Sequence, residues 1–137
     1  TSAGTQGIVN ATGATEIVCS SLANATATAR YIKQKNPETV SIVAIGNAGV
    51  ARADEEVLCA RYIKALLEGE DPKVAHLACQ RKAIGFDTTC GAKFFDSKRP
   101  EFPVKDFAYC VDVDRFDFAI SVGHDAEGRL VNTPVRL

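Results

Sequence analysis

The chain has 137 residues, 46% hydrophobic and 24% charged, with a formal net charge of −1. That is one domain's worth of chain, with enough apolar material for a sizeable core. The balanced charge, the lack of a basic stripe and an aromatic content of 7% exclude nucleic acid as an expected partner, and no apolar run approaches the ~20 residues that a membrane helix needs.

In chain order, Thr1-Ser2-Ala3-Gly4-Thr5 reads as a loop entering a short helix over residues 6–11. Two roles are open for its hydroxyls and amides, an N-cap or an oxyanion site at a helix start. Residues 16–22, EIVCSSL, read as a strand, and Asn24 as the cap of a helix that runs through Lys35. Leu22, Ala25, Ala29 and Ile32 step by three, four and three, which gives that helix one apolar stripe. Asn36-Pro37 stops it.

Residues 39–45, TVSIVAI, form a short apolar run rich in β-branched side chains that ends at Gly46. This is the pattern of a strand buried on both faces, as in a parallel sheet. The strand–helix–strand order predicts two parallel strands joined by a right-handed crossover. Ligands in open α/β sheets gather outside the carboxyl ends of the strands, which directs attention to Gly46-Asn47-Ala48-Gly49 and the helix after it.

That helix opens on Asp54-Glu55-Glu56 and presents Cys59, Tyr62, Ile63 and Leu66 as its buried stripe. Glu55, four residues before Cys59, lies on the same stripe, and Glu56 lies on its flank. Two readings are open. Acids in a first turn favour the helix dipole by roughly 0.3–1 kcal/mol. Alternatively, carboxylates along a buried stripe near a strand's carboxyl end need a partner, and so mark a metal or acid–base site.

Gly69-Glu70-Asp71 ends this helix and Pro72 opens the next, through about Cys79, with His76 read as structural. Residues 80–98 show no period and read as a loop with a short helix or strand. A helix is expected over residues 104–113. Asp112, Asp114 and Asp117 follow closely, without the glycine and terminal glutamate of a calcium loop. Residues 116–122 read as a strand, 124–128 as a turn and 129–137 as an antiparallel partner. Five cysteines at 19, 59, 79, 90 and 110 include no C-x-x-C pair. They read as free thiols, Cys19 and Cys59 in the core, and a reducing cytoplasmic location is expected.

Four stretches taken together carry a family resemblance. Thr1-Ser2-Ala3-Gly4-Thr5 is similar to a T-T-N-G-T segment with Ala3 in place of Asn. Ser21-Leu22-Ala23-Asn24-Ala25 is similar to a strand-to-helix segment ending in Asn-Ala. The apolar strand, Gly46-Asn47, an acidic pair and Cys59-Ala60 form the third, with Glu55-Glu56 where Glu-Asp is usual. Asp106-Phe107-Ala108-Tyr109-Cys110 is a looser fourth. In order and spacing these resemble the 2-phosphosulfolactate phosphatase family, magnesium-dependent α/β enzymes of coenzyme M biosynthesis and bacterial sulfolactate pathways. The resemblance spans nearly the whole chain and corresponds to the C-terminal part of longer family members.

The expected architecture is a single α/β domain over residues 1–137, a three-layer α/β/α arrangement with a mostly parallel or mixed sheet and a C-terminal antiparallel hairpin. The resemblance implies a magnesium-dependent phosphatase acting on a small phosphorylated acid such as 2-phosphosulfolactate. Glu55 and Glu56 are expected to hold magnesium or position water. Ser2, Gly4, Thr5, Asn24 and Asn47, with Thr1, are expected to contact the substrate's oxyanion groups. An alternative of another class is a non-catalytic or processed subunit paired with a second chain that supplies an N-terminal half. The start at Thr1 and the absence of Met leave three expectations open: a fragment, a chain trimmed at an exposed loop, or the product of a specific cleavage before Thr1. Thr1 would then combine a hydroxyl with an α-amine, as in N-terminal nucleophiles that cleave amides or esters.

Overall fold

The computed structural model describes residues 2–137; Thr1, expected as a nucleophile, lies outside them. The described elements run α1 (Ser2–Asn10), β1 (Ile17–Cys19), α2 (Ala25–Lys35), α3 (Asp54–Leu67), α4 (Pro72–Ala83), α5 (Val104–Val111), β2 (Phe118–His124) and β3 (Leu130–Arg136). Short 3₁₀ turns cover Leu22–Asn24, Ile84–Phe86 and Ala92–Phe95. No helix is long and apolar enough to cross a membrane among the described residues.

Local chemistry places the helix ends. Asn36 ends α2 in the left-handed conformation at φ 46° and donates its N–H to Ile32 O at 3.0 Å. An Asn tolerates this conformation better than most side chains. Asp71 caps α4, its Oδ1 accepting from Lys73 N at 2.9 Å and Val74 N at 3.1 Å, with Pro72 in the first helical position. The expected loop at residues 1–5 is instead helical from Ser2, a correction: Ser, Gly and Thr are weak helix formers, so local propensity gives no sign of this helix and its surroundings override it.

The three strands form one sheet in the order β1-β2-β3, and both pairings are antiparallel. The C-terminal hairpin is present as read, with Phe118 opposite Arg136 and His124 opposite Leu130. The parallel pair is not. β1 keeps only three residues, because Ser20-Ser21 leads into the 3₁₀ turn and Asn24 Oδ1 accepts from Ser21 N at 2.9 Å. Residues 39–45 join no ladder in the described structure. Val40, Ile42 and Val43 stand 41%, 37% and 74% exposed. An apolar run becomes a buried strand only beside partners for its N–H and C=O groups; β1 takes β2 as its neighbour, and no described strand flanks residues 39–45.

From one face of the sheet the packing runs through helices in turn, α2 against β2, α3 against α2 and α4 against α3. The core lies between them. Leu22, Ala25 and Ala29 of the predicted α2 stripe are buried with Ile32 packed against them, and so are Cys59, Tyr62, Ile63 and Leu66 of α3. Each large apolar side chain withdrawn from water in this way contributes about 1.5–3 kcal/mol. Burial also pushes the Cys59 thiol up to about 12 and the Cys79 thiol to about 11, so both are inert core groups. All five cysteines are free.

Candidate functional site

The stretch between residue 45 and the start of α3 is a tight left-handed loop. Gly46, Ala48 and Gly49 have φ of 80°, 54° and 74°. Asn47 N donates to Ala51 O at 2.7 Å, and Val50 N and Ala51 N both donate to Asn47 O at 3.2 Å. A Cβ built on Gly46 would sit 2.2 Å from Ala51 O, so both the φ and the close approach demand glycine. α1 reaches this loop as well, since a Cβ on Gly7 would lie 2.4 Å from Ile45 Cδ1. Ser2, Gly4 and Thr5 lie in the first turns of α1, and Asn47 is exposed on the loop; the two segments approach each other at Gly7 and Ile45.

The two glutamates there differ. Glu56 Oε2 accepts from Gly46 N at 2.6 Å, which ties the loop to the helix. Glu55 Oε2 is buried and has no hydrogen-bond partner among the described residues. Leaving a buried acceptor unpaired costs about 1–3 kcal/mol, more when it carries charge. A thiol is close by. Burial pushes the Cys90 thiol up, and the charge of Glu55 and a hydrogen bond to it add to that shift.

Magnesium takes one or two carboxylates and completes its shell with water and substrate phosphate rather than an all-protein cage. Glu55 and Glu56 are a donor set of that size, and the orphaned oxygen of Glu55 is the kind of group such an ion would satisfy. Among the described residues no three His, Cys, Asp or Glu side chains converge as a metal-holding group.

Asn24 is placed differently. It is 3% exposed, accepts from Ser21 N on Oδ1 and donates from Nδ2 to Phe118 O at 3.2 Å. Its amide is committed to holding the β1–α2 junction against β2.

A second polar cluster escaped the reading of the sequence. Asp114, left-handed at φ 59°, accepts four donors. Thr26 N reaches Oδ1 at 2.8 Å. Thr26 Oγ1 at 2.8 Å, Tyr62 OH at 2.6 Å and His76 Nδ1 at 3.0 Å reach Oδ2. Burial works to raise the Asp114 carboxyl, yet the hydrogen bonds from Tyr62, Thr26 and His76 outweigh it and hold it below the usual value. The Tyr62 phenol is pushed well up, first by burial and then by its bond to Asp114. One signal was available: a Tyr on a buried stripe needs a partner for its hydroxyl.

The sequence profile of the 2-phosphosulpholactate phosphatase family matches residues 1–124. The chain is also 30% identical, over 129 residues, to a Bacillus subtilis (strain 168) protein described as "Probable 2-phosphosulfolactate phosphatase", covering 93% of this chain and 54% of that protein. The chain therefore spans about half the length of the curated relative it matches. No solved structure is significantly similar to it.

Proposed function

The chain belongs to the 2-phosphosulfolactate phosphatase family, and we propose that it supplies the α3 side of a phosphatase site for a small phosphorylated acid such as 2-phosphosulfolactate. The observation that carries this reading is the orphaned, buried Oε2 of Glu55 at the start of α3. Glu55 and Glu56 are the residues that would hold magnesium. When bound, that ion supplies charge neutralisation at the phosphoryl oxygens and a more acidic water. Glu56 also fixes the position of the Gly46-Asn47 loop through Gly46 N. The amides and hydroxyls of Ser2, Gly4, Thr5 and Asn47 are assigned to the oxyanions, and Asn24 to positioning the β1–α2 junction behind them.

The test is phosphate release from 2-phosphosulfolactate by the purified protein, before and after chelation. We expect hydrolysis that falls by about 100-fold or more on chelation and returns with magnesium, since the ion carries much of the transition-state charge. Hydrolysis that ignores chelation would remove the metal from the proposal, and no hydrolysis at all would remove the reaction.

One observation favours a second reading, in which the chain works with another polypeptide. Residues 39–45 carry the composition of a doubly buried strand, yet Val43 is 74% exposed. A strand from a partner chain would pair with their backbone and cover Val40 and Ile42. Val43→Lys is then expected to leave the melting of the isolated chain unchanged and to abolish association in native mass spectrometry. A lone 14.6 kDa species with full activity would exclude this reading.

A further inference from the structure

The Asp114 cluster does more than tie helices together. An ionised carboxylate only accepts hydrogen bonds, so the His76 nitrogen 3.0 Å from Asp114 Oδ2 carries its proton on Nδ1. In the neutral imidazole that leaves the lone pair on Nε2. The His76 side chain is 33% exposed and borders an open groove of about 440 Å³ whose lining includes Thr26, Tyr62, Lys73, Gln80 and Asp114. Lys73 and Gln80 stand three residues before and four after His76 on α4, so the three side chains share one helix face. The hydroxyls of Thr26 and Tyr62 are already given to Asp114. Its charge is offset by four donors, whereas Lys73 has no ion pair among the described residues. The face left to a ligand therefore offers a cation, an amide and a nitrogen that accepts a proton.

We propose that this groove binds a small oxyanion that still carries a proton, of the phosphate or phosphomonoester type. Lys73 meets its charge, Gln80 donates to a second oxygen, and His76 Nε2 accepts its P–O–H. Asp114 and Tyr62 act one step back, by holding the imidazole in one tautomer and one orientation. The groove is separate from the start of α3, because Tyr62 lies seven residues, about 10 Å, along the helix from Glu55. The proposal is independent of the phosphatase reading.

The chain has two histidines, so imidazole proton resonances followed by NMR report the groove directly, with His124 at the end of β2 as the internal control. Titration with inorganic phosphate at neutral pH is expected to shift the His76 signals saturably and leave those of His124 in place. Sulfate has the same shape and no proton at that pH, and it should bind about tenfold more weakly or worse, the cost of one unmade bond to a charged ligand. Lys73→Glu and the milder Lys73→Gln, both at an exposed position, should each weaken phosphate by about tenfold or more while the spectrum stays folded. No saturable shift at His76, equal shifts at both histidines, or equal binding of phosphate and sulfate would each overturn the proposal.

Discussion

Asp114→Asn is expected to destabilise the protein by about 3 kcal/mol and to lower its melting temperature by roughly 10 °C. The carboxylate gathers donors from three helices: Thr26 at the start of α2, Tyr62 in α3 and His76 in α4. A hydrogen bond to a charged group is worth about 1.5–3 kcal/mol, and a buried donor left without its acceptor costs a similar amount. Asparagine keeps one acceptor oxygen and turns an NH₂ towards donors that need an acceptor. It tolerates the left-handed backbone at φ 59° as well as aspartate does, so the change isolates the charge from the conformation.

The pH dependence has a definite sign. The folded carboxyl lies below its ordinary value of 3.8, so its contribution is complete above that value and is lost as pH falls through the lower, folded one. Denaturation followed by circular dichroism should therefore show the largest gap between wild type and variant near neutrality, and a narrowing gap in acid. A variant as stable as the wild type at pH 7 would mean that the four contacts do not hold the helices together.

Much of the fold was legible because periodicity reports which face of an element is apolar. The stripes on α2 and α3 landed in the core as read, and the alternating residues near the C-terminus made the expected hairpin. Periodicity says nothing about which neighbour covers a face. Residues 39–45 have a composition that satisfies the pattern of a buried strand, but a strand needs a second backbone segment beside it, and the described neighbours do not supply one. Polar clusters are hidden for a related reason. Thr26 and Asp114 are 88 positions apart, and Tyr62 and Asp114 are 52 apart. Within the sequence each had a sufficient local explanation: a small residue on a helix, an aromatic on a stripe, an acid in a run of acids. Only the crossing of α2, α3 and the segment before β2 brings them together. The acids at the start of α3 stand out in the sequence because both of their explanations, dipole and site, put them at the same place. The structure then separates them by partner, with Glu56 bonded to Gly46 and one buried oxygen of Glu55, Oε2, without a partner among the described residues.

That separation predicts opposite effects on stability and activity from a single change. Glu55→Gln replaces a buried, unpartnered carboxylate oxygen with a neutral group of nearly the same shape, which removes a desolvation cost. The variant is expected to melt no lower than the wild type, and up to about 1 kcal/mol higher in stability. If Glu55 serves the phosphoryl-transfer site, the same change should cut phosphate release by about 10²–10³, the usual cost of losing one preorganised charged or donor group at a reacting centre. Magnesium added to the wild type should also raise its melting temperature, because an ion that binds only the folded state stabilises it by mass action, and the variant should lose that increment. Glu56→Gln is the contrast. The amide oxygen can still accept from Gly46 N, so the loop should hold at a cost of about 1 kcal/mol, and the loss of activity should be smaller. Activity that survives both substitutions would end the assignment of these two glutamates to the site. A Glu55→Gln variant that is both less stable and fully active would show that the orphaned oxygen serves the fold and not the reaction.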